Sequence, residues 1–255
     1  MGRSLGIAEV LIIALVVLLL FGGRMIPRIG QQLGRRAKTG LRQWRWVWTL
    51  LTGSEDEIIR AEREFGEECA REFAAGHPGK PAPADRELAA AAAAKLAAHA
   101  GDPWRFTVQV IADAAANAFA LPGGFIFVTD SLLRLCGRDA QEVAFVVGHE
   151  MAHVLLGHAR DRFMAGAVLT RVASGAPAVG HMLAQLVNQG YSQDQEFDAD
   201  MRALVLVRKA GFDPAAGQRM LARLERLGGA PDELAMYFSS HPPLLLRIEA
   251  LRRAA

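Results

Sequence analysis

The chain opens on an unbroken apolar run and then changes its pattern twice. Ile7–Phe21 (IAEVLIIALVVLLLF) holds a single charged residue, Glu9. Bounded by Phe21-Gly22-Gly23-Arg24, this run reads as a short membrane-spanning helix over about residues 5–22. A cleaved signal peptide with Arg3 as its basic start is the alternative, but no Ala-x-Ala cleavage site follows. From Ile26 onward the apolar positions fall at three- to four-residue steps: Ile26, Ile29, Leu33, Ala37, Leu41, Trp44, Trp48 and Leu51. Arg28, Arg35, Arg36, Lys38, Arg42 and Arg45 lie between them. That is a basic amphipathic helix over about residues 27–52, with Trp anchors suited to an anionic bilayer surface.

Beyond residue 53 the pattern becomes that of a folded domain. Ser54–Phe73 mixes acids and bases at helical spacing, and Asp85–Ala100 is an Ala-rich helix with His99 near its end. Between them Gly76–Ala84 is a Pro-rich loop that leaves His77 in water. Phe106–Ile111 has strand character. Ala116–Leu121 and Phe125–Thr129 flank Pro122-Gly123-Gly124, a turn between two strands. Asp139 and Glu142 form a capping-box start to an apolar helix that runs towards Arg160. Phe163–Val187 is apolar but broken at Gly175-Ala176-Pro177, so it predicts two short helices rather than a span, with His181 structural. Tyr191–Gly211 starts at a Ser192 cap and stops at Gly211, with Arg208 and Lys209 in its last turn. Asp213-Pro214 starts a helix through about Leu227, and a final helix, Leu244–Arg253, follows the Ser240-His241-Pro242-Pro243 loop.

The expected fold is therefore mainly α with a small β-sheet (α+β), in two parts. Residues 1–52 form a membrane anchor and residues 53–255 the domain proper. At 255 residues the chain holds one sizeable domain plus extras. A net charge of +2 suggests no nucleic-acid partner, and part of the 51% hydrophobic content is membrane sequence. Cys69 and Cys136 form no C-x-x-C pattern and need not pair.

Chemistry concentrates in DAQEVAFVVGHEMAHVLLGHAR, residues 139–160. His149-Glu150-Met151-Ala152-His153 is an H-E-x-x-H in a helical stretch, which stacks the two imidazoles on one face. Together they can hold a metal, and Glu150, about 100° around the helix, can reach a water upon it. This is the zinc-peptidase arrangement, with the Glu as general base. Buried histidines and carboxylates are costly unless paired or metal-bound, which weighs against chance. A third His six residues after the second would mark a metzincin; that position is Ala159, which excludes it. On a continuing helix His158 lies about half a turn from the ligand face, which makes it structural. Glu196, four residues before Asp200 on a later helix, supplies a third ligand and leaves the fourth position open. Asp200 can accept the spare N–H of a ligand His. Asn117, Ala118, Phe119 and Ala120 form a candidate sheet edge to which an extended peptide could add.

Four segments in order carry a resemblance: Asn117–Gly124, the HEMAH helix, Gln195–Asp200, and His241-Pro242-Pro243 with Arg247. From about residue 55 to 253 the chain resembles the gluzincin-type zinc metallopeptidase family of HtpX, the BepA-type peptidases and the CAAX prenyl endopeptidase. The resemblance implies one Zn2+ per chain, held by His149, His153 and Glu196, with Glu150 as base and His241 and Arg247 beside the zinc. It also implies a polypeptide substrate, drawn from misfolded or membrane-associated proteins. Residues 1 to about 45 resemble the TatA/TatB family in the short span, Glu9, the Phe21-Gly22 hinge, Ile26-Pro27 and the Gly30 to Gly34 helix. That implies one short span, one surface helix, contact with membrane lipid, and a Tat-like or homo-oligomeric membrane assembly.

One basic side chain, Arg3, precedes the span, and seven follow between Arg24 and Arg45. Flanking Lys and Arg stay in the cytoplasm. The expectation is a single-pass protein of the bacterial inner membrane with the peptidase domain cytoplasmic; the BepA-type likeness suggests the periplasm instead. The competing functional class is a membrane scaffold or Tat translocase-associated subunit with a structural metal site, for which Glu150 would have no use.

Overall fold

The computed structural model describes residues 49, 52–101, 104–165, 190–227, 237, 241 and 244–254. The chain divides after Arg45, and the description concerns the unit that begins at Trp46. The expected span, nearly all of the amphipathic helix, and the two short helices expected within 163–187, apart from residues 163–165, lie outside the described residues. Among the described residues no helix is long and apolar enough to cross a membrane.

Seven helices are complete among these residues: α1 (Glu55–Ala75), α2 (Pro83–Ala97), α3 (Asp130–Leu135), α4 (Ala140–Leu155), α5 (Gln193–Lys209), α6 (Ala216–Leu227) and α7 (Leu244–Ala254). Residues 158–165 are also helical. The strands are β1 (Thr107–Ile111), β2 (Ala118–Leu121) and β3 (Phe125–Thr129), in the order β1-β3-β2. β1 runs parallel to β3, and β2 runs antiparallel to it, with Phe119 opposite Phe127.

Side chains alternate across a strand, and the two faces of this sheet differ in size. Ala118, Ala120, Ile126 and Val128 join the main core with the apolar residues of α2, α4, α5 and α6. Phe119, Leu121, Phe125 and Phe127 face the other way, into a cluster with Phe65, Cys69 and Phe163. There Phe73 meets Phe119 and Phe127 edge-on at 4.8 and 4.9 Å. The small alanines let α4 come close to β2, while the aromatic face supplies bulk against α1. Burial on both faces is why β2 and β3 read as continuous apolar runs. The cysteines are both buried, and burial pushes the Cys136 thiol up to about 12.

Local chemistry sets the ends of the two helices that matter most. Asp139 caps α4, its Oδ1 accepting from Gln141 N at 2.7 Å and Glu142 N at 3.4 Å. The Glu142 side chain does not close the expected box but pairs with Arg223 of α6 at 2.9 and 3.1 Å. Every residue of α4 from Glu142 to Val154 is buried. Ser192 caps α5 in a full capping box, with Gln195 reaching back to Ser192 N at 3.1 Å. Gly211, at φ 76°, ends that helix in the left-handed conformation that favours glycine. His77 departs from expectation: it stacks on Phe73 at 4.3 Å and its Nδ1 lies 2.9 Å from Phe73 O, half-buried rather than solvated.

Where α1 crosses the Pro122–Gly124 turn, the contact is backbone on backbone. A Cβ at Gly66 would stand 1.9 Å from Pro122 O and 2.8 Å from Pro122 C. Neither atom can give way without moving the turn that joins β2 to β3. Gly66→Ala should therefore destabilise the domain by about 1–3 kcal/mol, lowering its melting temperature by roughly 3–10 °C. Gly76→Ala, at ordinary helical φ −74° with its nearest neighbour 3.4 Å away, should leave it nearly unchanged. Calorimetry of the two variants beside the parent checks both.

Candidate active site

α4 places His149 and His153 one helical turn apart, and their Nε2 atoms lie 3.1 Å from each other. α5 crosses α4 and brings Glu196 to both of them. Glu196 Oε2 is 3.4 Å from His149 Nε2, and Oε1 is 3.4 Å from His153 Nε2. Each separation is close to the ~3.3 Å between neighbouring ligand atoms of a site with metal–ligand bonds of 2.0–2.1 Å, the two Glu196 oxygens facing one imidazole each. His241 completes a set of four donors that lie within 4.8 Å of one another. Its Nδ1 is 3.0 Å from Glu196 Oε1, and its Nε2 is 3.5 Å from Glu150 Oε1.

A further layer of side chains surrounds the donors. His149 Nδ1 faces Asp200 Oδ1 at 2.9 Å. Arg247, from α7, grips Asp200 through Nε and Nη2 at 2.7 and 2.8 Å and pairs with Glu196 through Nη1. His149, Glu150, His153, Glu196, Asp200, His241 and Arg247 are all at most 2% exposed. Burying so many polar and charged groups is costly unless they satisfy one another. The formal charges of Glu150, Glu196 and Asp200 against Arg247 leave two negative charges, which a divalent cation balances.

The electrostatics point the same way. Burial works against a charge on His149, yet Glu196, with Asp200 assisting and Arg247 opposing, outweighs it and holds the imidazole at about 9. A pocket that draws a proton onto a buried imidazole is one that attracts cations. His153 is pushed well below its ordinary value by burial, which leaves it neutral and able to ligate. Glu196 is held well below the usual carboxylate range against the cost of burial, by His241 and Arg247. Asp200 is held down by Arg247 in the same way. Imidazole nitrogens and a carboxylate gathered within 4.8 Å of one another form a donor set that suits zinc.

Some residues stand where a sequence pattern could not put them. His158 lies beside His153, the two Nδ1 atoms 3.1 Å apart. The helical-wheel placement fails because α4 stops at Leu155 and Gly157, at φ 77°, turns the chain back. Tyr191 stacks on the His153 ring with centroids 3.6 Å apart and planes 10° from parallel, and Arg162 covers its other face at 4.0 Å. Neither Tyr191 nor Arg162 belongs to a motif, so neither was found. Asn117–Ala120 also differs from expectation. β2 lies at the sheet edge but is buried along its length. His241 Nε2 sits 3.2 Å from Ala118 O, Arg162 Nη2 donates to Ala120 O at 3.4 Å, and Asn117 Oδ1 accepts from Ala118 N at 2.9 Å. His241, and Arg162 from the helical residues 158–165, thus contact the edge that the sequence leaves open.

Comparison with known proteins gives this geometry a family. Residues 83–255 match the model of peptidase family M48, and residues 3–44 match that of the mttA/Hcf106 family. The mitochondrial metalloendopeptidase OMA1 of Schizosaccharomyces pombe is 30% identical over 156 residues, 58% of this chain and 46% of its own. OMA1 of Arabidopsis thaliana is 34% identical over 153 residues, 58% of this chain and 31% of its own. The metalloprotease LoiP of Escherichia coli is 30% identical over 164 residues, 60% of this chain and 63% of its own. The chain thus spans less than two thirds of each of these relatives. The M48 model takes in more than half of the chain and the whole of the buried donor cluster, and the chain belongs to peptidase family M48, a family of zinc-dependent metallopeptidases.

Proposed function

We propose that this chain is a membrane-anchored zinc endopeptidase that cleaves misfolded or membrane-associated polypeptides. His149, His153 and Glu196 hold the ion, and Glu150 is the general base. The observation that supports this reading is the set of donor separations, 3.1 to 3.4 Å, built beside Glu150 in a buried pocket short of positive charge. When bound, zinc polarises the scissile carbonyl and lowers the pKa of the attacking water. Glu150 takes the proton of that water and returns it to the nitrogen of the leaving amine, so that the C–N bond breaks without an amide anion. Arg247 holds Glu196 and Asp200 in position, and Asp200 holds His149. His241 lines the open corner, where it steadies the charge that develops on the carbonyl oxygen. The β2 residues Asn117–Ala120 receive the substrate backbone.

The anchor lies in residues 1–52. The match of residues 3–44 to the mttA/Hcf106 family and the run Ile7–Phe21 support it. The seven basic residues from Arg24 to Arg45, against Arg3 alone before the run, favour a cytoplasmic peptidase domain.

Three outcomes test this reading. Glu150→Gln should keep fold and zinc while cleavage of an unfolded substrate such as casein falls by at least ~100-fold; undiminished cleavage rules out this base. Glu196→Ala should lose stoichiometric zinc, read by atomic absorption, whereas Asp200→Asn should keep the metal with affinity lowered by roughly 10–100-fold. Normal zinc in Glu196→Ala would remove it as a ligand. For topology, a reporter fused after Ala255 should be active in its cytoplasm-dependent form and silent as an export-dependent phosphatase. The reverse pattern would put the domain on the other side.

A further inference from the structure

The two histidines that α4 brings to the donor cluster are oriented in different ways. His149 turns its Nδ1 to a carboxylate, Asp200, at 2.9 Å. His153 turns its Nδ1 to another imidazole, His158, at 3.1 Å. On the reading of the two Nε2 atoms as the metal-facing donors, these Nδ1 atoms have, among the described residues, only each other at that length, so their contact is a hydrogen bond in which only one carries the proton. If His158 donated, His153 would keep its own proton on Nε2, the atom that faces His149 and Glu196 at 3.1 and 3.4 Å. It would then have no lone pair to offer a metal. If His153 donates, Nε2 is free. His158 must then accept through Nδ1, as a neutral ring protonated on Nε2.

We infer that His158 is the positioning residue of His153, accepting its Nδ1–H and thereby presenting Nε2 as a ligand. This rests on the reading of His153 as a metal ligand. Three structural facts carry it. The Nδ1 contact is buried on both sides. Tyr191, stacked on the His153 ring at 3.6 Å, fixes the ring plane but offers no acceptor to Nδ1. Gly157, at φ 77°, is the bend that brings His158 to this place. A histidine is well suited here because it accepts the proton without bringing another negative charge into a pocket that already holds three carboxylates. A carboxylate in its place would add a fourth negative charge to three that Arg247 and a divalent cation already balance.

The test uses the full-length protein in detergent and measures zinc affinity by competition with a chromogenic chelator, with circular dichroism to verify folding. His158→Ala should weaken zinc by roughly 10–100-fold, the size of losing a hydrogen-bond partner of a ligand histidine. His158→Asn, whose side-chain oxygen comes near the place of Nδ1, should recover most of that loss. His158→Phe fills the volume without accepting a proton and should not recover it. If Phe binds zinc as well as the parent, or better than Asn, His158 is only packing and the inference falls. Parental affinity in His158→Ala has the same meaning. His153→Ala separates this from the underlying reading. It should abolish stoichiometric zinc, and normal zinc there would show that His153 is no ligand at all, a failure distinct from that of His158.

Discussion

A guanidinium sealed from water among carboxylates sets the terms for everything around it. Arg247 is fully buried and answers to Asp200 and Glu196 at once. Removing one member of such a buried pair leaves an uncompensated charge and costs about 3–5 kcal/mol in general. α7 therefore has to dock against α5, and α5 against α4, before any of these charges is satisfied. The same network fixes the ring of His149 through Asp200. The last helix of the domain is thus part of the site, although it lies about a hundred residues after the HEMAH helix in sequence.

Much of the donor cluster was legible because helices make it so. An i, i+4 pair stays an i, i+4 pair wherever the helix is placed, so His149 with His153, and Glu196 with Asp200, could be read from spacing. Caps were legible for the same local reason, at Asp139 and Ser192. What spacing cannot carry is the point where a helix stops. Helical spacing carried past Leu155 places His158 on the far side, but the helix ends there and Gly157, in the left-handed conformation, leads the chain to put His158 beside His153. Tyr191, stacked on His153, and Arg162, stacked on Tyr191, leave no periodicity in the chain by which to read them.

The sheet shows a second limit. The strands and the turn between β2 and β3 were readable from β-rich runs and Pro-Gly-Gly. The parallel pairing of β1 with β3 was not, since partner choice depends on which faces the helices cover. Nor was the burial of β2 visible. Its alternation of Ala with Phe and Leu is a record of two different neighbours, α4 on one side and α1 on the other, and not of water on one side.

The covered edge of β2 alters the thermodynamics of any peptide that pairs with it. The carbonyls of Ala118 and Ala120 already have partners in His241 and Arg162. An incoming main chain would replace those bonds rather than add to them, so the count of hydrogen bonds would change little. Main-chain pairing there would align a substrate but contribute little net affinity. Discrimination would then fall to side-chain burial and to how readily a segment surrenders its own structure, which would favour chains that are already unfolded over sequences of any one kind.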